Sequence, residues 1–321
     1  MSRWFHLALL NLNVALNMII PPFIKPGAVV GLVTPAGKIP PQLVKQTEKF
    51  LDSHGFRHIR GKYVADAWHQ YGGSDAHRAE DVNEMIQNPE VDVIWCMRGG
   101  YGAIRLLDKI DFSVLRQNPK WLVGFSDITV FHAVLQQQYE MASIHGPMPK
   151  NLDDGNWDDT GMNELWMMLS GKSINYEIEP HLLNRDGRGK GTIIGGNLTL
   201  ISILKGSAAD FDPHGKILFI EDVGEYLYSL DRMINGLKIS GKLSSLAGLV
   251  VGQMTDMQDN NTPFGASAYE IIAEAVKEYS YPVIFNFPSG HSTINRPLML
   301  GAKVKIDVSS HAVTMAYSMQ L

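Results

Sequence analysis

"WLVGFSDITVFHAVLQQQ", residues 121 to 138, runs an apolar stretch of strand character into Gly124-Phe125-Ser126-Asp127 and then into a segment of helical periodicity. Strand, tight turn and helix make up the repeating unit of an α/β protein, so its recurrence along the chain decides the fold. The turn has two physically sound readings. A serine just before an apolar-periodic segment is a standard N-cap, its hydroxyl oxygen accepting from an orphan amide of the first turn. The same layout exposes a nucleophile above a sheet, although Ile128 stands where the G-x-S-x-G pattern has its last glycine.

Outward from this stretch the unit recurs. "AVVGLVTP" (28 to 35) has the composition of a buried strand, and "PQLVKQTEKFLDSHG" (41 to 55) that of an amphipathic helix closing at Gly55. "SDAHRAEDVNEMIQNP" (74 to 89) is a second helix, with its cap at the start and a proline at the stop. "VDVIWCM" (91 to 97) and "MASIHG" (141 to 146) are further strands, and "YGAIRLLDKI" (101 to 110) is expected to be helical. Such alternation predicts a mainly parallel sheet with helices on both faces. Between about Pro147 and Gly191 the texture becomes turn-rich, and a boundary is expected there. Beyond it "GTIIGG", "KILFIED", "LAGLVVGQM" and "YPVIFNF" alternate with helices near 198 to 204, 226 to 239 and 266 to 279, and "AKVKIDV" and "AVTMAYS" form a terminal hairpin. The expectation is an α/β protein: residues 18–150 a parallel-sheet domain, 151–190 a linker region, and 191–321 a mixed α/β domain with its own sheet.

Composition narrows the function classes. In 321 residues, 45% hydrophobic and 19% charged content is that of an ordinary globular protein. A net charge of −5 without a clustered Lys/Arg footprint argues against nucleic-acid binding. The single cysteine, Cys96, excludes an intramolecular disulfide and a multi-cysteine zinc site, and fits a reducing compartment. Residues 1–17 are apolar but interrupted by Asn11, Asn13 and Asn17, a poor match to a signal peptide and too polar for a membrane span. They read as an extension, and Met18 is an alternative start.

In parallel sheets the working groups gather beyond the carboxyl ends of the strands. After the 91 to 97 strand comes Arg98-Gly99-Gly100-Tyr101-Gly102, a run in which backbone amides can approach an anion or oxyanion; a plain tight turn is the alternative. After the 121 to 125 strand comes Ser126-Asp127. After the 216 to 220 strand come Glu221 and Asp222, which alternate along the strand and so cannot both face one site. His291 sits on a loop held by Pro288 and Gly290, and His145, in "IHGPM", is its rival. His54 and His58 have i, i+4 spacing without a third ligand, so no metal site is expected. A serine, a carboxylate and a histidine at strand ends, in the order Ser126, Glu221, His291, are the groups that nucleophilic acyl transfer needs. The histidine takes the serine's proton, and the acid fixes the imidazole tautomer.

"GLVTPAG", "MRGGYGAIRLLDKIDF", "LVGFSDIT", "IHGPM", "GTIIGGNLTLI", "ILFIEDVGEYLYSLDRMINGL" and "FPSGHSTINRPLMLG", in this order, resemble the LD-carboxypeptidase family of serine peptidases over nearly everything from Met18 onward. The resemblance implies an N-terminal nucleophile domain, a C-terminal domain carrying the acid and base, and a homodimer. It gives Ser126 as nucleophile, Glu221 as acid and His291 as base, with an oxyanion hole from the amides of Asp127 and of Gly99 or Gly100. It implies no metal or cofactor, no nucleic-acid or membrane partner, a cytoplasmic location, and a murein tetrapeptide substrate that loses its terminal D-alanine in cell-wall recycling. Arg98, Tyr101 and Arg296 are candidate substrate contacts by position, with a structural ion pair as the alternative for each arginine. The nearest alternative is a microcin-immunity-type peptidase acting on aminoacyl or peptidyl nucleotides, with Trp157 or Trp166 as a stacking platform. A non-catalytic binder of a small ligand is the reading from another class.

Overall fold

The computed structural model of the protein describes residues 18–152 and 160–318; the expected N-terminal extension and Trp157 lie outside them. Two sheets share the chain. The first is built from β1 (Val29–Val33), β2 (Arg57–Arg60), β3 (Val93–Cys96), β4 (Trp121–Gly124) and β5 (Ser143–His145), all parallel. Helices α1 (Pro41–Ser53), α2 (Asp75–Gln87) and α3 (Thr129–Tyr139) cross between the strands. Every residue of β1, β3, β4 and β5 is buried; β1, β3 and β4 are the continuous apolar runs of a covered parallel sheet, whereas β5 buries the polar Ser143 and His145.

After helix α4 (Thr160–Leu169) the chain builds a second sheet from β6 (Asn175–Ile178), β7 (Gly187–Asn197), β8 (Lys216–Val223), β9 (Gly248–Thr255) and β10 (Val283–Ile284). Helices α5 (Leu198–Ile203), α6 (Leu227–Ile239) and α7 (Ala268–Ala275) fall between them. Strand β11 (Leu298–Leu300) then leaves for the first sheet and pairs antiparallel with β5. The chain returns as β12 (Lys303–Val308) and β13 (Val313–Tyr317), the expected hairpin. The sheet orders are β11-β5-β4-β3-β1-β2 and β10-β9-β8-β7-β12-β13-β6. The C-terminal half therefore supplies an edge strand to the first sheet, and the segment expected as a linker supplies α4 and the edge strand β6.

One expectation fails. The span 101 to 110 forms only a single 3-10 turn, Ala103–Leu106, after Gly102 at φ 132°. The amides that would have entered a helix are bound instead by a side chain from the neighbouring strand end. In the first sheet the chain departs from β1 in opposite directions, to β2 on one side and to β3, β4 and β5 on the other. The loops after β1 and β3 meet at that reversal, where Gly37 N donates to the Gly99 carbonyl at 2.9 Å. A crevice at such a point is where open α/β sheets hold ligands.

Candidate active site

Ser126 follows β4 directly and has φ 62°, a left-handed conformation that a serine adopts at a cost of about 1–2 kcal/mol. It opens a 3-10 turn, Ser126–Ile128, whose N-cap is Phe125, and its hydroxyl caps no amide. Its Oγ lies 3.0 Å from Nε2 of His291. The cap reading of Ser126 is thereby excluded by geometry. The place of the missing glycine is also explained: the left-handed turn falls on the serine itself, and Ile128 packs back on Gly124, where a Cβ would be 3.0 Å from the isoleucine Cγ1.

His291 lies on the loop after β10 with a side chain 20% exposed, and its Nδ1 is 2.8 Å from Oε2 of Glu221. Burial pulls the imidazole pKa down, but the Glu221 hydrogen bond and the charges of Glu221 and Asp222 outweigh it, leaving His291 above the ordinary histidine value. Glu221, on β8, is completely buried, and its second oxygen has no hydrogen-bond partner among the described residues. Two glycines let the neighbouring strand and loop close over it: a Cβ at Gly252 would sit 3.2 Å from Glu221 Cβ, and one at Gly290 3.0 Å from Oε2. A register shift between Ile220 and Asp222 sends the next acid elsewhere. Asp222 accepts from Asn197 Nδ2, from the amide and hydroxyl of Thr199, and from the Val223 amide. Burial, helped by the Glu221 charge, raises its pKa to about 6.

The glycine run lies against the serine. A Cβ on Gly99 would be 2.9 Å from Ser126 Cβ and 3.1 Å from its Oγ. The amides of Gly99, Gly100 and Asp127 have no acceptor among the described residues, which leaves all three free to meet an oxyanion. Arg98 donates to the Lys38 carbonyl at 2.8 Å and is half-buried beside Gly37. Tyr101 is exposed next to the run.

Arg296 is not brought to the site as a free cation. Its Nε donates to Oε2 of Glu164 at 2.8 Å, a second nitrogen donates to the other oxygen, and the guanidinium lies 4.5 Å from the centroid of the Tyr176 ring. Trp166 is not a platform either: it stacks on Phe56 at 4.6 Å and meets Trp95 edge-on at 5.5 Å. His145 is fully buried behind Phe125 and Phe219, and burial, then the charges of His132 and His291, hold it well below the usual histidine range. It is not a rival base. His54 contacts Ser53 and Phe50, and His58 contacts Asp52 and Glu48. No group of three His, Cys, Asp or Glu side chains suited to a metal ion occurs among the described residues.

Three contributors carry no signal in the sequence. The Asp127 carboxylate, buried beside the nucleophile, accepts from the Ala103 amide at 2.7 Å and also from Gly102; burial raises its pKa to about 6 against these bonds. It fastens the far end of the glycine run. Asn295 Oδ1 accepts from the Gly290 amide at 3.0 Å and from Ser289 Oγ at 3.2 Å, holding the histidine loop. The Phe125 ring lies 4.8 Å from that of His291.

A hydroxyl on a left-handed strand-to-helix turn, joined through an imidazole to a buried carboxylate from a second sheet, defines a two-domain α/β protein of hydrolase design. The chain belongs to the LD-carboxypeptidase family: residues 30–146 match its N-terminal domain and 190–306 its C-terminal domain. It is 30% identical to the murein tetrapeptide carboxypeptidase of Pseudomonas aeruginosa, over 83% of this chain and 89% of that protein. The crystal structure of muramoyltetrapeptide carboxypeptidase from Oxalobacter formigenes superposes with a TM-score of 0.83 at 26% identity, covering 91% of this chain and 99% of the other. The microcin C7 self-immunity protein MccF of Escherichia coli is also similar, at 25% identity over 83% of this chain and 86% of its own length.

Proposed function

We propose that the protein is a serine carboxypeptidase that releases the terminal D-alanine of an L,D-linked murein tetrapeptide. The observation that carries this reading is the relay from Ser126 Oγ through His291 to Glu221, at 3.0 and 2.8 Å. Ser126 Oγ attacks the carbonyl before D-alanine while His291 Nε2 takes its proton. The tetrahedral oxyanion meets the Asp127 amide and one from Gly99 or Gly100, each such donor being worth about 3–4 kcal/mol. Collapse breaks the C–N bond, and His291 returns the proton to the leaving amine. Water, deprotonated by His291, then frees the acyl group and restores the serine. Arg98, beside the glycine run, is the cation we assign to the carboxylate of the substrate.

We assign the reaction to cytoplasmic cell-wall recycling by a homodimer, the former resting on the substrate and the lone buried thiol of Cys96. Sedimentation of the purified protein checks the latter. The decisive experiment is D-alanine release from tetrapeptides with L,D or D,D terminal linkages. Release from the L,D substrate, lost in Ser126→Ala, supports the reading; release from the D,D substrate alone refutes it. The similarity to MccF motivates a second reading, hydrolysis of an aminoacyl nucleotide. Turnover of an aminoacyl sulfamoyl adenosine with none of the tetrapeptide would establish it instead.

A further inference from the structure

Beyond the glycine run, the surface next to the nucleophile carries a strip of aromatic rings that the relay does not use. Tyr101 is 49% exposed and Trp68 46%. Between them stands Tyr71, its ring 6.0 Å from that of Tyr101 and 5.8 Å, near parallel, from that of Trp68. The strip is built rather than incidental. Trp68 and Tyr71 exchange two backbone hydrogen bonds at 3.0 Å, closing a tight turn through His69, which is held left-handed at φ 56°. A strained non-glycine residue whose turn presents an exposed tryptophan is the kind of cost that persists at ligand sites. Tyr71 also bridges to Gly37, whose amide is bonded to Gly99, so strip and glycine run form one continuous wall. Arg78 and Arg105 lie on the Tyr71 ring at 5.0 and 5.7 Å.

From these observations we infer that Tyr101, Tyr71 and Trp68 form a stacking subsite for a pyranose ring of the substrate, on the acyl side of the cleaved bond. The inference rests on the murein-peptide reading above. The side follows from length. A carboxypeptidase leaves only one residue beyond the cleaved bond, at most about 3.6 Å of chain. The strip begins two residues past Gly99 and continues for two further ring spacings, so only the retained part of the substrate reaches it. The chemistry follows from charge. Asp75 pairs with both Arg78 and Arg105, so the two cations on the Tyr71 ring are already engaged by a carboxylate. That disfavours a nucleotide and suits a neutral sugar, whose C–H face packs on the negative face of an aromatic ring.

The test compares kcat/KM on a muramoyl tetrapeptide and on the same tetrapeptide without sugar, for wild type, Trp68→Ala and Trp68→Phe. Trp68→Ala is expected to lower the sugar-bearing to sugar-free ratio about 10-fold, the order expected for loss of one stacked ring, and Trp68→Phe to restore most of it. A ratio unchanged in Trp68→Ala, with melting temperature retained, overturns the subsite while leaving the peptidase reading intact. A wild type that cleaves neither substrate overturns both. If the ratio holds but Trp68→Ala dissociates the protein in sedimentation, the strip is a contact between copies of the chain and the subsite is rejected.

Discussion

Ser126 meets His291 because three residues around it give up ordinary preferences. The serine accepts a left-handed backbone, Gly99 forgoes a side chain, and Glu221 stays buried with one oxygen unpaired. An unpaired buried oxygen is costly, and here it leaves a carboxylate whose single strong bond is directed at the imidazole. The balance sets a pH dependence. His291 acts as a base only when neutral, and its pKa is raised above the ordinary 6.5, so kcat/KM should rise with pH along an acid limb whose midpoint lies above 6.5. Glu221→Gln removes two of the causes that raise it and leaves the burial that lowers it. The limb should then move to lower pH while kcat falls by about 10⁴-fold, the loss known for an acid that fixes the imidazole tautomer. Initial rates of D-alanine release between pH 5 and 9 check both; an acid limb unmoved in the variant would mean that His291 is not the titrating base.

At the scale of elements, the strands that position the site were legible and the loops that tune it were not. The runs at β1, β3 and β4 announce themselves because an interior parallel strand is apolar on both faces. The charged edge strand β2, "RHIR", lacks that signature, and the opposite edge strand β11, "LML", is apolar but only three residues long and pairs with a strand over 150 residues earlier in the chain. The same physics divides the site. Ser126, Glu221 and His291 follow strand ends and are found by that rule, whereas the bond from Asp127 to Gly102 and Ala103 depends on where loop amides point. Arg296 is the converse case: of its two readings, substrate contact or structural ion pair, the partner that decides is Glu164, 132 positions away in the chain. The Asp127 tie is testable. Asp127→Asn keeps the shape but presents an amide group where a carboxylate accepted two N–H bonds. A hydrogen bond to a charged group is worth roughly 1.5–3 kcal/mol, so kcat should fall about 10- to 100-fold. KM should change little, because the oxyanion contact forms only in the transition state. An equal loss in both parameters would place Asp127 outside the support of the oxyanion loop.

For the whole molecule, the nucleophile belongs to one sheet and its base and acid to the other, so the seam between the halves sets the catalytic distance. Two of the ties across that seam lie close to the site. Strand β11 carries the chain from the histidine loop straight onto β5, and at the end of β7 the Asn197 amide donates to Thr129 Oγ1 at 3.0 Å, three residues beyond the nucleophile. Contact is close because Gly196, at φ 138°, has no side chain: a Cβ there would lie 2.7 Å from Thr129 Oγ1 and 2.8 Å from its Cγ2. The hydrophobic core that the two sheets share does not run through this contact, so Gly196→Ala should leave the chain folded and shift the sheets against each other locally. Misplacing reacting groups by about 1 Å costs on the order of 10²-fold in rate. Gly196→Ala is therefore expected to lose about that much kcat with a cooperative unfolding transition retained, while Gly187→Ala, where φ is 146° and a Cβ would come no nearer than 3.5 Å to Pro282, should lose little. Equal activity losses in the two variants, measured alongside their melting curves, would show that strain at a left-handed glycine, and not the register of the two halves, limits the rate.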